Sequence, residues 1–244
     1  MEITCPTVVI GHEGSILLWY LPNAISQAYQ QSEVWNSLGL LSIPLQCSLK
    51  SNGMGGWQNN GENFHNNANL KGTINLSPTW FQQGNDAHHP KASLLLQSTP
   101  QLKEVCEWLQ CMAGLQAVLL GALCIMHPKM YLHGWEAITQ LRSKAATWQD
   151  EDMEAVLPMW KLVYSSMSVM VNHTSPAHKD MNGQKVWLDT LLTVSNYLWL
   201  HFLFLELRIW LQYNLGTIIA LAGSALVHQV DSVDGDQECL AYYM

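Results

Sequence analysis

The sequence predicts an α+β fold in which a helical, loop-rich support region, residues 1–160, feeds an all-β core over 161–244. Two patterns carry the prediction. Before residue 113, Leu102, Val105, Cys106, Leu109, Met112 and Ala113 recur at helical spacing. After Pro158 the chain turns to short β-branched and aromatic runs: MWKLVYSSMSVMVN, VWLDTLLTVS, LELRIWLQYN, GTIIALAG, ALVHQV and CLAYYM. With 244 residues, 48% of them hydrophobic, the chain can fill one sizeable core, so a single domain over 1–244 is expected.

Each element has its own local signal. Residues 7–20 (TVVIGHEGSILLWY) read as a hairpin broken at Gly11 to Gly14. Pro22 opens a helix over about 23–38, with Ile25, Tyr29, Val34 and Leu38 on its apolar face. The stretch 51–70 (SNGMGGWQNNGENFHNNANL) is rich in Asn and Gly, lacks periodicity and reads as an exposed loop. A strand follows at 71–76 and ends at Ser77-Pro78, and 82–97, with His88 and His89, is irregular. Thr99 and Pro100 make an N-cap and N1 pair for helices over about 100–146, broken at His127-Pro128. A short helix is expected at 151–158.

Composition narrows the function classes. A net charge of −8 argues against broad binding to a phosphate backbone, which needs clustered Lys and Arg, so any nucleic-acid contact should be local. The six cysteines show neither a CxxC pair nor zinc spacing, and no signal-peptide pattern is seen, so an intracellular, reduced protein is expected. The sequons at Asn75 and Asn172 then read as coincidences. Two apolar runs fall short of the ~20 residues a membrane helix needs. Ala113 to Met126 is too short, and Tyr197 to Leu211 is interrupted by His201, Glu206 and Arg208.

The chemistry concentrates near the C-terminus. His178, Lys179 and Asp180 form an HxD triplet, and His228 returns 48 residues after Asp180. Residues i and i+2 of an extended segment point the same way, so His178 and Asp180 can converge on one ion. Two imidazoles and one carboxylate are the facial ligand set of non-haem Fe(II). On residues alone, a packed or surface histidine remains the commoner reading of His228.

The segments NHTSPAHKD (172–180), VWLDTLLTVSNY (186–197), LQYNLGTIIALAGSALVHQV (211–230) and DGDQECLAYYM (234–244) resemble the TET/JBP-like 2-oxoglutarate and Fe(II) dioxygenases, in particular their expanded fungal branch. SILLWYLPNAIS (15–26), LKGTINLSPTWFQQG (70–84) and LLGALCIMHPKMY (119–131) fit as well. The resemblance implies a double-stranded β-helix core of jelly-roll, cupin-like type, with the N-terminal helices and loops packed around it. It also implies Fe(II) held by His178, Asp180 and His228, with 2-oxoglutarate as co-substrate. The implied reaction is oxidation of a methylated base, 5-methylcytosine in DNA sooner than in RNA, which would place the protein in the nucleus. A base in a duplex must be flipped out for such chemistry, and Trp57 and Phe64 are candidate stacking residues.

Where the family has an arginine that clamps the co-substrate carboxylate, this chain has Gln237. An amide cannot reproduce a bidentate, charge-assisted contact. Cys239 shares the facing of Gln237 and is a candidate pocket residue, and Arg208 is a candidate substitute clamp from a neighbouring strand. The alternative reading is a catalytically impaired protein that keeps metal or nucleic-acid binding, and a cupin-like small-molecule binder is a third. Leu215, before Gly216-Thr217, and the apolar LWLHFLFL at 198–205 also depart from the family pattern.

Overall fold

The computed structural model describes residues 1–49, 56–80, 90–180, 184, 186–195, 199–231 and 235–244. His88, His89 and the first residues of the Asn- and Gly-rich stretch lie outside them. In chain order the strands are β1 (Glu2–Ile3), β2 (Thr7–Ile10), β3 (Ile16–Leu21) and β4 (Gly72–Leu76). Helices α1 (Gln27–Tyr29) and α2 (Ser42–Ser48) separate β3 from β4. Then come α3 (Leu102–Cys111), α4 (Ala113–Met126), α5 (Pro128–Trp148) and α6 (Glu151–Val156). The C-terminal strands are β5 (Ser166–Val171), β6 (Ser175–His178), β7 (Asp189–Ser195), β8 (His201–Phe204), β9 (Ile209–Gln212), β10 (Ile218–Leu221), β11 (His228–Val230) and β12 (Gln237–Tyr243).

The architecture is mixed α+β, as expected, and the chain forms two compact units. One comprises residues 1–36, 45–74 and 168–243, and the other 37–44, 75–167 and 244. The first 21 residues, grouped by sequence with the helical support region, therefore lie in the β-rich unit: β1 pairs with β9, and β3 pairs with β10. Five strands form one sheet in the order β1-β9-β8-β11-β6, and seven form the other in the order β2-β3-β10-β7-β12-β5-β4. Both are antiparallel at the pairings described except β1 with β9.

Alternation in the strands builds the core of this unit. Leu18 and Tyr20 of β3, Phe202 and Phe204 of β8, Leu211 of β9, Ile219 and Leu221 of β10, and Cys239 and Ala241 of β12 form one buried cluster. Within the apolar run, His201–Phe204 alternates as a strand does: Phe202 and Phe204 are buried, while His201 and Leu203 are half-buried. Gly216, with φ at 73°, allows a close approach that a side chain would block, because a Cβ there would meet the Ile25 carbonyl. The Ile25 amide donates to the Gly216 carbonyl at 3.1 Å across the same contact.

Three local expectations need correction. The helix expected over 23–38 begins later and changes its winding. Ser26 Oγ caps α1, a π-helical turn covers Gln30–Val34, a 3₁₀ segment covers Trp35–Leu41, and α2 follows. Buried Gln30 donates to the Ile25 carbonyl at 2.8 Å, a side-chain bond that anchors the helix start from within. Pro44 lies in the first turn of α2, where its missing N–H has no helical partner to lose. Second, Thr99 does not cap α3: the helix starts at Leu102, whose amide donates to the Thr99 carbonyl. Third, the described part of the Asn- and Gly-rich stretch, from residue 56, carries 3₁₀ turns at Gly56–Asn59 and Gly61–Asn63 and an Asn60 side-chain cap on Glu62.

In the helical unit, α3 buries Val105, Trp108 and Leu109, the face its periodicity foretells. His127 Nδ1 accepts the Met130 amide and Pro128 opens α5, so the predicted break is a cap. Asp150 caps α6 in the same way through the Met153 amide. No single helix among the described residues is long and apolar enough to cross a membrane.

Candidate metal centre

The centre forms on the five-stranded sheet, where β6 and β11 run antiparallel and His178 stands directly opposite His228. The two rings lie 4.3 Å apart between centroids. Their orientation is set by hydrogen bonds from the far side of each ring. His178 Nδ1 lies 2.8 Å from the Pro176 carbonyl, and His228 Nδ1 lies 3.0 Å from the Leu226 carbonyl. A carbonyl only accepts, so each Nδ1 carries a proton, and Nε2 is the nitrogen each ring turns towards Asp180.

Both Nε2 atoms converge on Asp180. His178 Nε2 is 3.7 Å from Asp180 Oδ1, and His228 Nε2 is 3.6 Å from Asp180 Oδ2. The three donor atoms lie within 4.8 Å of one another, a spacing at which one ion can be held. Lys179, between His178 and Asp180, pairs with Glu206 at 2.9 Å. That pair draws the Glu206 carboxyl below the usual carboxylate range. Glu206 also accepts the Val227 amide, so one carboxylate ties the HxD triplet to the residue preceding His228.

The surroundings supply a second layer of support. Phe202 stacks on His228 at 5.5 Å with 11° between planes. Burial, with His178 acting the same way, holds the His228 imidazole below its ordinary range and so in the neutral form. The Asp180 amide donates to the Gly223 carbonyl. A Cβ at Gly223 would lie 2.4 Å from Asp180 Oδ2 and 2.5 Å from Asp189 Oδ2, so both carboxylates use the space that glycine leaves. Asp189 opens β7, and burial, with Asp180 adding to it, pushes its carboxyl up to about 7.

The segment after the Asn- and Gly-rich turns reaches the same place. Trp57 packs on His178 at 4.3 Å between ring centroids, and Phe64 packs edge-on against His173 at 4.6 Å. Phe64 is buried, so of the two stacking candidates only Trp57, half-buried, sits on a proposed ligand. Burial drives the His173 imidazole down to about 4, and its Nε2 lies 3.4 Å from the Trp57 carbonyl.

Gln237 begins β12 and is 1% exposed. It is latched to Asn172: the Gln237 amide donates to Asn172 Oδ1 at 2.7 Å, and the Asn172 amide donates to the Gln237 carbonyl at 2.8 Å. Asn172 Nδ2 is engaged with the Leu70 carbonyl and Asp236, so this buried sequon asparagine is occupied as a structural clasp. Gln237 Oε1 has no hydrogen-bond partner among the described residues. Cys239 faces the core cluster, 3.4 Å from the Tyr213 hydroxyl, and burial pushes its thiol up to about 11. Arg208 is exposed at positive φ in the β8–β9 turn, where its carbonyl accepts from the N-terminal ammonium.

Sequence reasoning did not single out Asp189, Gly223 or Phe202. LDT and LAGS read as ordinary strand and turn text, and only the fold brings them beside the triad.

No protein-family model and no curated protein matches the chain. Among solved structures it is similar to NgTET1 in complex with 5mC DNA, with a TM-score of 0.59 and 12% identity. That match covers 98% of this chain and 76% of the other. A likeness at this identity is one of fold, and the fold is TET-like.

Proposed function

We propose that this chain is an Fe(II)- and 2-oxoglutarate-dependent dioxygenase that oxidises a methylated nucleic-acid base, 5-methylcytosine in DNA. The observation that carries the reading is the convergence of His178 Nε2, His228 Nε2 and an Asp180 oxygen. The donor set fits the metal. Two imidazoles, each with its Nδ1 hydrogen-bonded to a backbone carbonyl, and one carboxylate suit Fe(II) and leave open positions. The TET-like fold supports a double-stranded β-helix reading of the two sheets, and the DNA bound by NgTET1 supports the substrate class.

Bound iron supplies the oxidising chemistry, and the chain's own residues position and protect it. His178 and His228 present fixed lone pairs, Asp180 supplies the negative charge, and its half-exposed side chain keeps one flank of the centre open. Phe202 and the core cluster close the flank behind His228 against water. The fit to the co-substrate is poorer. Gln237 is buried and neutral where a carboxylate needs a guanidinium.

The test is an incubation of purified protein with Fe(II), 2-oxoglutarate, oxygen and an oligonucleotide containing 5-methylcytosine, followed by mass spectrometry of the released nucleosides. Oxidised 5-methylcytosine that disappears in Asp180→Ala is expected. Unmodified base at every 2-oxoglutarate concentration, from protein that holds stoichiometric Fe(II), would reject the reaction while leaving the metal site standing.

A further inference from the structure

We infer that Trp57 is a positioning residue of the metal centre, holding the His178 imidazole in the orientation that presents Nε2 to the ion. The inference rests on the reading of His178, Asp180 and His228 as metal ligands. It starts from a ring contact. The Trp57 indole meets the His178 imidazole at 4.3 Å between centroids, tilted by 48°, and meets His173 at 5.4 Å. Such offset, tilted pairs are attractive beyond their buried area and restrict how each ring turns.

A residue from an irregular segment can position another only if its own backbone is fixed, and Trp57 meets that condition. Its carbonyl accepts from Asn63 Nδ2 at 2.9 Å and faces His173 Nε2 at 3.4 Å. The Asn63 carbonyl in turn accepts both the amide and the hydroxyl of Thr174, at 2.8 Å and 3.1 Å. The His65 amide donates to the Asn172 carbonyl at 3.0 Å, and Phe64 bridges to His173. The 57–65 segment is thus stapled to residues 172–174, which run directly into β6 and His178. Neutral, buried His173 touches both Trp57 and Phe64 and lies two residues before β6 in the chain.

The two ligand histidines are therefore supported by different means. His228 is stacked on Phe202 inside the core, whereas His178 lies outside that cluster and has the indole as its wall. Without the indole, the Pro176 carbonyl bond at 2.8 Å and the 3.4 Å contact with Ser175 Oγ would still hold Nδ1 while the ring could swing about it. Orientation of Nε2 is the property lost, and supporting residues of this kind typically change metal affinity about 10- to 100-fold.

The experiment is titration of the metal-free protein with Co(II), read by its visible ligand-field absorption, for the unaltered chain, Trp57→Ala, Trp57→Phe and Asp180→Ala. The expected result is Co(II) affinity about 10-fold or more weaker in Trp57→Ala with an altered band envelope, and recovery towards the unaltered protein in Trp57→Phe. Equal affinity and an identical spectrum in Trp57→Ala would overturn the inference. If the unaltered chain itself binds no Co(II), or Asp180→Ala binds as well as it does, the metal reading fails and the inference with it. A measurement free of metal guards against a poorly folded variant. In the unaltered metal-free protein, the His178 ring protons should carry a ring-current shift that changes in Trp57→Phe, as the smaller ring redraws it, while the His228 protons stay in place. His178 protons that do not respond to the substitution overturn the inference independently of any metal.

Discussion

Asp180 and Asp189 meet over one glycine: the Oδ2 atoms of both occupy the place that a side chain on Gly223 would take, from opposite ends of the segment that links β6 to β7. The proposed ligand and its buried neighbour are therefore positioned by an absent side chain. Gly223→Ala should push at least one carboxylate aside. We predict Co(II) or Fe(II) affinity about 10- to 100-fold weaker, measured by anaerobic calorimetry, with far-UV circular dichroism unchanged. Retention of full affinity would show that Asp180 does not depend on this contact.

Phe202 links the core to His228. Truncation to Ala removes a fully buried ring and the stacked partner of the histidine together. Phe202→Ala should lower stability by about 3–5 kcal/mol in urea unfolding, and Phe202→Leu by clearly less. The leucine variant should nonetheless lose metal affinity, because it fills volume without offering a flat face.

Glu238 is buried with neither carboxylate oxygen hydrogen-bonded among the described residues, and burial pushes its carboxyl up to about 8. The native state therefore keeps a proton that the unfolded chain releases near 4.5, and stability falls as pH rises from about 4.5 to about 8. Glu238→Gln should flatten that limb, gaining on the order of a few kcal/mol at pH 8 and nothing below pH 4.5. Buried His173 has the opposite sign. Its value near 4 against an ordinary 6.5 gives stability that is present above pH 6.5 and lost as pH falls towards 4. Calorimetric melting temperatures between pH 4 and 8.5 separate the two, and a Glu238→Gln curve parallel to that of the unaltered chain would refute the assignment.

Gln237 stands where a carboxylate clamp is needed. Gln237→Arg should tighten 2-oxoglutarate binding by roughly 10- to 150-fold, the worth of one charge-assisted hydrogen bond. Anaerobic titration of the Fe(II) protein, followed by visible absorption, measures it. Already tight binding in the unaltered chain would mean that another group holds the carboxylate. Arg208, exposed in the β8–β9 turn, is the variant to combine with it.

Much of the fold was legible where periodicity was strong. The β2–β3 hairpin, β4, the helices broken at His127-Pro128 and the late strand series follow their sequence patterns because tertiary contacts and local preference agree there. Boundaries failed where side chains competed with the backbone, as at Gln30 and Thr99. His178 and Asp180 were legible because HxD spacing is a local geometric rule, and His228 joined them through the family resemblance. Their surroundings were not, since Phe202, Asp189 and Gly223 reach them only through pairings between distant segments, and Trp57 was singled out for stacking on a base and not on His178. The apolar 198–205 run looked like a departure, yet it supplies β8 and the ring behind His228.

The sheet order has a consequence for how the centre comes into being. β6, which carries His178, lies at the edge of its sheet with β11 as its neighbour there, and β11 carries His228. During synthesis the HxD strand emerges well before that neighbour exists, and the intervening chain takes roughly 2–10 s to make at ~5–20 residues per second. Until then β6 has no ladder to join. Pairing of β6 with β11 sets His178 opposite His228, so a single strand-docking step brings the two proposed donors together.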